Sequence, residues 1–286
     1  MLYSLPQDLH FIDGPRIASF QALEKMSETS TQSQTKKLDT AKGADAYNPS
    51  NLKTYDTLVF GVVSPYGWNC SAEKLISFFN RNIARAAEPY KSNPGGPPLT
   101  RILDIGVGTG YFPARAPLPK WTEYVLVDLN ETCLDVTLPV IERAHPEVGT
   151  NATKVVGDFL AQGDDSKSLF AKGNGLPEGG FDAISLMFLL HCLPGPPARK
   201  AEALGRMGRL LRPGGVVFGA TILGKGVSRN PLARLVLWLN NYLGVFDNHE
   251  DDAVGILVPL QKMFNEVRYE VVGCMLLFEA SDPRCY

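Results

Sequence analysis

The chain has 286 residues, of which 44% are hydrophobic, so its composition allows one sizeable core. Its formal charge of −2 and pI near 6.1 exclude the basic surface by which proteins attract nucleic acid, and no apolar run has the roughly 18 residues of a membrane span. Five scattered cysteines without a Cys-x-x-Cys pair, and a start without the basic-then-apolar order of a signal peptide, lead us to expect a cytoplasmic protein.

Residues 1–46 form an N-terminal extension. Within it, residues 27–46 are small and polar, so the surface they could bury cannot offset the entropy lost on ordering them. We therefore expect residues 27–46 to be largely disordered.

Residues 47–98 are expected to form a helical lid followed by a linker. The linker is rich in proline and glycine, and a turn with several aromatic side chains, residues 64–70, separates two predicted helices. The apolar residues of the second helix recur at helical spacing, which predicts a stripe facing the core. They are Leu75, Ile76, Phe79 and Ile83.

The most informative motif is a glycine-rich loop in residues 101–112. An apolar strand ends at Asp104-x-Gly-x-Gly-x-Gly, in which glycines let the backbone turn and approach a ligand without Cβ atoms. The dinucleotide fingerprint needs a further glycine where Tyr111 stands, and the Asp104 carboxylate would repel a pyrophosphate. The loop therefore favours a positively charged nucleoside over a dinucleotide.

Three prolines, Pro113, Pro117 and Pro119, crowd the helix expected after this loop. Because proline disfavours a helical conformation in the residue before it, Pro117 should end that helix at Ala116.

Further strands follow in a regular order. A second predicted strand ends in Asp128, and a third ends in Asp158. The fourth spans residues 181–188, a turn and the fifth strand together occupy residues 210–218, and the last strand is placed at 269–279. This alternation of strands and helices predicts an α/β fold whose ligand loops gather at the carboxyl ends of the strands.

The order and spacing of these motifs over residues 50–286 resemble the class I S-adenosylmethionine-dependent methyltransferases, in particular small-molecule enzymes of microbial and fungal secondary metabolism. The resemblance implies a Rossmann-like, mostly parallel seven-stranded sheet with helices on both faces and an antiparallel last strand. It also implies a core at residues 99–286. The connection after the fifth strand, at about 224–267, is longer than a simple connection and has apolar residues at largely helical spacing, which predicts either a substrate-lid insertion or an ordinary amphipathic helix packed on the sheet.

The same resemblance implies the cofactor, S-adenosylmethionine, with S-adenosylhomocysteine as product. Asp128 is expected to hold the ribose hydroxyls and Asp158 the adenine amino group. Asp104 is expected either to orient the loop or to meet the cofactor's amino group, and Gly110 to serve helix packing. The expected cofactor-binding residues are Asp104, Gly106, Gly108, Gly110, Asp128, Leu129, Asp158 and Phe159.

Several candidate catalytic or substrate-binding residues also have a purely structural interpretation. His191 and His249 are candidate proton acceptors, although the first equally suits a structural histidine and the second a solvated acidic turn. Tyr66 and Trp68 could contact the sulfonium or the acceptor, but burial explains them equally well. Met187 is a further substrate-binding candidate, and no carboxylate cluster predicts a metal site.

We therefore predict methyl transfer to an oxygen or nitrogen of a small, partly apolar metabolite, by a monomer or homodimer that binds neither nucleic acid nor membrane. Two alternatives stay open, a related protein that catalyses a non-methylating cyclisation or pericyclic step and a non-catalytic cofactor-binding partner.

Overall fold

The computed structural model describes residues 56–91, 100–162, 165–171, 173–176 and 180–284. The extension predicted at residues 1–46 lies outside these residues. The described chain is organised around one sheet of seven strands in the order β3-β2-β1-β4-β5-β7-β6. The strands are β1 (Thr100–Ile105), β2 (Thr122–Asp128), β3 (Ala152–Val156), β4 (Phe181–Met187), β5 (Leu211–Ile222), β6 (Phe264–Val272) and β7 (Met275–Pro283).

Helices connect and cover these strands. A π-helix, α1 (Val59–Gly67), precedes α2 (Ala72–Lys91), and short 3-10 turns follow the glycine loop, β4 and α5. The remaining helices are α3 (Glu131–Ala144), α4 (Pro146–Thr150), α5 (Pro197–Arg206), α6 (Pro231–Tyr242) and α7 (Ala253–Met263). None of the described helices is long and apolar enough to cross a membrane.

Strands β1 to β5 run parallel to one another, whereas β7 pairs antiparallel with both β5 and β6. The predicted seven-stranded sheet with an antiparallel last strand is confirmed. Each face of the sheet has its own core because neighbouring strand residues point to opposite sides. Tyr124 and Phe218 pack with Phe79 of α2 on one face, while Leu204 of α5 and Leu260 of α7 pack on the other.

The stripe predicted for the second helix lies in this core. Leu75, Phe79 and Ile83 of α2 are fully buried, and Ile76 is partly buried against them.

Four details of the sequence interpretation are wrong. The single strand expected at 269–279 is the hairpin of β6 and β7, which turns at Gly273 with φ of +58°. Only the 3-10 turn Pro113–Arg115 stands where a helix was expected after the glycine loop, although it ends at the extended Ala116 before Pro117, as predicted. Strand β3 ends two residues before Asp158, and α1 continues through most of the turn expected at 64–70.

The connection between β5 and β6, where the insertion was predicted, contains α6 and α7. Helix α7 packs on α5, whereas α6 packs on α1. The amide of Asn230, before α6, donates to the backbone oxygens of Tyr66 at 2.7 Å and Gly67 at 3.2 Å. The N-terminal helix and the predicted insertion are thus joined by direct contacts.

A buried ion pair fixes the loop between α6 and α7. Lys200 of α5 donates to a carboxylate oxygen of Asp251 at 2.6 Å and to the backbone oxygen of Asp247 at 2.7 Å, and neither side chain of the ion pair is exposed. The backbone oxygen of Asp251 in turn accepts from Gly224 and Lys225 after β5. The acidic residues 247–252 of this connection, called the acidic loop below, are therefore fixed by buried contacts and do not form an ordinary solvated turn.

Replacing one partner of this pair should strongly destabilise the protein. In Lys200→Met the Asp251 carboxylate stays buried without its cation, so we expect the free energy of unfolding at pH 8 to fall by ~3–5 kcal/mol in urea titrations. Lys154→Met, which removes the exposed partner of Asp135, is the matched control and should change stability little. Equal effects of the two substitutions would contradict the assignment.

Candidate active site

A cleft opens where the carboxyl ends of β1, β2 and β4 meet, as the order of parallel strands requires. It holds about 1000 Å³ of unfilled space, including its open mouth. Its walls come from the glycine-rich loop after β1, the residues that follow β2, β3 and β4, and Phe60 of α1.

The three loop glycines all have positive φ, but a Cβ atom at each would meet different surroundings. At Gly108 it would meet no protein atom within 4 Å. At Gly106 it would lie 2.9 Å from the Leu189 side chain, and at Gly110 it would lie 3.1 Å from Thr137 of α3. Gly108 therefore presents its backbone to open space, while Gly106 and Gly110 are required by packing as well as by conformation.

Asp128 ends β2 and lines the cleft. One of its carboxylate oxygens accepts from the Asn130 backbone amide at 2.9 Å. Burial raises the pKa of Asp128 to about 6, although neighbouring backbone amides, including those of Gly108 and Leu129, oppose the shift. The carboxylate is thus largely removed from water and has acceptor capacity for a ligand.

Asp104, at the end of β1, is the second carboxylate of the cleft. It is almost completely buried and accepts from the Tyr124 hydroxyl at 2.9 Å. Burial raises the pKa of Asp104 to about 6, the hydrogen bond opposes that shift, and the charge of Asp128 adds to it. The two acids therefore disfavour each other's ionisation.

The other expected cofactor residues also line this cleft. Asp158 and Phe159 follow β3, and the Asp158 carboxylate accepts from the Leu160 backbone amide at 2.8 Å. Leu129 follows β2, and Met187 ends β4. Seven of the eight predicted cofactor-binding residues and Met187 therefore line the cleft, whereas the eighth, Gly110, packs against Thr137 of α3.

An aromatic wall that the sequence analysis missed closes one side of the cleft. Phe60 of α1 stacks on Tyr111 with ring centroids 3.8 Å apart. The Arg115 guanidinium also stacks on Tyr111, 3.8 Å from the centroid of its ring. In addition, the Thr109 hydroxyl donates to the Asp56 carboxylate at 2.6 Å. Helix α1 is thus attached to the glycine loop by both a ring stack and a hydrogen bond.

Phe112 and Phe188 extend this wall. The Phe188 ring lies edge-on to Phe60 at 5.4 Å, and its backbone has a φ of +62°, which is unusual for a bulky side chain. Phe112 directly follows the glycine loop and Phe188 directly follows Met187, so the sequence could have indicated that both residues lie at the cleft. Nothing in the sequence indicates Phe60, which comes from a separate segment.

His191 lies behind the wall and does not line the cleft. Its Nδ1 accepts from the Ile222 backbone amide at 3.4 Å, and its ring is edge-on to Phe246 with centroids 4.6 Å apart. Burial lowers the pKa of His191 to about 3, and the charge of Lys200 adds to this shift. The imidazole is therefore neutral with its proton on Nε2, which suits an anchoring role and not that of a proton acceptor.

The remaining candidates also lie outside the cleft. Trp68 is buried in the core, and its backbone oxygen accepts from the Cys274 amide at 2.8 Å. Tyr66 lies on α1 and is 68% exposed, and His249 lines a separate cleft. Among the described residues no group of three histidine, cysteine or carboxylate side chains is suited to hold a metal ion.

The sheet order, the glycine loop and the strand-end acids together define a class I methyltransferase. The chain belongs to the methyltransferase family, since residues 71–277 match the family sequence model described as "Methyltransferase domain". The predicted resemblance is confirmed, and family membership agrees with the predicted cofactor, S-adenosylmethionine.

Fungal proteins are similar over most of the chain. Methyltransferase verB of Penicillium polonicum is 36% identical over 256 residues, which is 84% of this chain and 98% of the relative. The physcion biosynthesis cluster O-methyltransferase of Aspergillus chevalieri is 32% identical over 247 residues, covering 86% and 97%. O-methyltransferase adaD of Aspergillus niger is 34% identical over 241 residues, covering 83% and 87%.

A solved structure, "PigF with SAH", supports the fold. It has a TM-score of 0.50 and 16% identity, and the match covers 92% of this chain and 68% of that one.

The raised pKa of Asp104 predicts a pH dependence of stability. Between about pH 4 and 6 the folded protein binds more protons at Asp104 than the unfolded chain, so this residue's contribution to stability is lost as pH rises. Asp104→Asn removes this titration. The free energy of unfolding of the variant minus that of the unsubstituted protein should therefore rise by up to about 3 kcal/mol as the pH is raised from 4 to 7. Urea unfolding at several pH values measures this, and a difference that stays constant with pH would refute it.

Proposed function

We propose that this chain transfers the methyl group of S-adenosylmethionine to an oxygen of a small, partly apolar metabolite. The observation that carries the proposal is the cleft itself, in which strand-end carboxylates and an open glycine backbone adjoin an aromatic wall. The names of two relatives, both O-methyltransferases, support oxygen as the acceptor atom over nitrogen.

The charges of the cleft fit this cofactor. Asp104, Asp128 and Asp158 line it, whereas none of the described lining residues is a lysine, arginine or histidine. Such an arrangement repels a pyrophosphate and attracts a cation that also carries hydroxyl and amino donors. The open space at Gly108 leaves room for a ligand to lie directly on the loop backbone.

Five of the lining residues then have these roles in cofactor binding. Asp128 accepts hydrogen bonds from the ribose hydroxyls, and Asp158 accepts from the adenine amino group, with Leu129 and Phe159 as apolar walls around the base. Asp104 supports the loop that faces the amino-acid end. The bound cofactor supplies an electrophilic methyl carbon attached to a sulfonium.

The aromatic wall positions the acceptor. Phe60, Tyr111 and Phe188 form an apolar surface beside Met187, which excludes water and suits a planar, partly apolar body. Holding the acceptor oxygen in line at short distance is the main contribution that the protein makes to such a displacement.

The proton of the acceptor hydroxyl is a further constraint. His191 is turned away from the cleft, and burial raises the pKa values of the lining residues Tyr111 and Cys133. The cleft thus holds acids that suit the cofactor and no histidine or lysine among its described lining residues. We therefore propose an acceptor whose hydroxyl is itself acidic, such as a phenol or an enol, and which reacts in its ionised form.

Asp128→Ala tests the binding site directly. Loss of charge-assisted hydrogen bonds to the ribose should weaken S-adenosylhomocysteine binding by about one to two orders of magnitude in calorimetry. Asp135→Ala, an exposed acid of α3, is the control and should bind normally. An unchanged affinity of Asp128→Ala would remove the ribose assignment.

Turnover is tested with the same proteins. Incubation with S-adenosylmethionine and a panel of phenols, enols and aromatic amines, followed by mass spectrometry, should give methylated phenol or enol together with S-adenosylhomocysteine. New product without S-adenosylhomocysteine would instead indicate a non-methylating reaction. Binding without any product from the panel or from a metabolite extract would indicate a non-catalytic partner.

His191→Asn separates anchoring from proton transfer. The asparagine oxygen can still accept from the Ile222 amide, so we expect kcat/KM per folded enzyme within about threefold of the parent and an unchanged pH profile. Removing a general base would cost about 10²–10⁴-fold. A loss of that size in a variant with unaltered circular dichroism, accompanied by a changed pH profile, would restore His191 as the base.

A further inference from the structure

A second cleft lies between the end of β5, helix α6 and the start of the acidic loop. It holds about 920 Å³ of unfilled space including its open mouth, comparable with the first cleft by the same measure. No described residue lines both clefts. The proposed function leaves this second cleft unused.

The second cleft is cationic. Arg229, Arg234 and His249 line it, and none of its described lining residues carries a carboxylate. Within the described part of the chain neither arginine takes part in an ion pair. Among the described residues, the two guanidinium groups at this cleft therefore have no neutralising partner, although the whole chain carries a net charge of −2.

The nearby acids do not supply that partner. All four acidic side chains of residues 247–252 are engaged elsewhere, each with a group that does not line the second cleft. Asp247 accepts from the Gly195 amide, Glu250 pairs with Lys225, Asp251 pairs with Lys200, and Asp252 accepts from the Gly255 amide. The fold thus directs this acidic run away from the two arginines.

The rear of the cleft is firmly built. Asn248 is fully buried, and its side-chain amide donates to the backbone oxygen of Ile222 at 2.9 Å. Its side-chain oxygen accepts from the Asn241 amide at 2.9 Å, while its backbone amide donates back to the Asn241 side chain at 3.3 Å. This reciprocal pair ties α6 to the acidic loop, so the wall is preorganised.

One wall is aromatic and open to a ligand. Trp238 is 60% exposed although it lines the cleft, and its ring lies nearly parallel to Tyr242 with centroids 5.6 Å apart. A ring held in this way offers a large flat surface at a small entropic cost.

We infer that this second cleft binds a small organic anion, an aromatic or otherwise flat apolar body that carries a carboxylate or phosphate. Arg229 and Arg234 receive the anionic group, because guanidinium donors match the geometry of both oxyanions. Trp238 receives the flat body, and His249 contributes a polar edge. The inference does not depend on methyl transfer, since it concerns residues outside the first cleft.

Binding is measured by calorimetry on the full chain with three probes that share one ring system. The probes are 2-naphthoate, 2-naphthyl phosphate and uncharged 2-naphthamide, which has no phenol group for the first cleft. We expect both anions to bind at least tenfold more tightly than the amide, and the tighter of the two identifies the preferred anionic group. Binding should persist when S-adenosylhomocysteine saturates the first cleft.

The double variant R229Q/R234Q should weaken binding of the preferred anion at least tenfold and leave S-adenosylhomocysteine affinity unchanged, which also shows that it is folded. Arg143→Gln, an exposed arginine of α3, is the matched control and should bind like the parent. Trp238→Leu should weaken both anions by about threefold or more. The inference is overturned if neither anion binds, if 2-naphthamide binds equally well, if the double variant binds normally, or if S-adenosylhomocysteine displaces the anion competitively.

Discussion

The arrangement of the first cleft depends on one electrostatic constraint, the gathering of carboxylates at the ends of parallel strands. Strands β1 and β2 are neighbours in the sheet, so Asp104 and Asp128 end close together, largely out of water and without a lysine or arginine among the described residues that line the cleft. Burial raises the pKa of both to about 6. A ligand that brings a positive charge and hydroxyl donors relieves this cost, which is why the cleft suits a sulfonium nucleoside and disfavours an anionic one.

The acidic loop between α6 and α7 organises the segment around His191 and the rear of the second cleft. Lys200 and Asp251 pair without exposure to water, and the Asp247 amide donates to the backbone oxygen of His191 at 2.9 Å. The same loop therefore fixes the segment after β4 and supplies the rear wall of the second cleft through Asn248. Burial, together with the charge of Lys200 on α5, lowers the pKa of His191 and so keeps its imidazole neutral.

Features that are local in sequence were predictable, and features made by distant segments were not. The strand, the turn and the acid around Gly106 and Asp128 lie within short stretches whose residue types fix their conformation. The resemblance then supplied the sheet order. Phe60 stacks on Tyr111 at a sequence separation of 51 residues, and Ile222 sets the orientation of His191 at a separation of 31. Periodicity carries no information on such pairings, and Gly273 looked like one residue of a continuous strand.

The attachment of α1 to the glycine loop has a consequence for exchange of ligands. Because Thr109 donates to Asp56 and Tyr111 stacks on Phe60, α1 cannot move without changing contacts of the glycine loop. Under the proposed function, displacement of this helix would disturb the acceptor site and the cofactor loop together. Replacement of Asp56 or Phe60 would then change both the acceptor preference and the rate of product release.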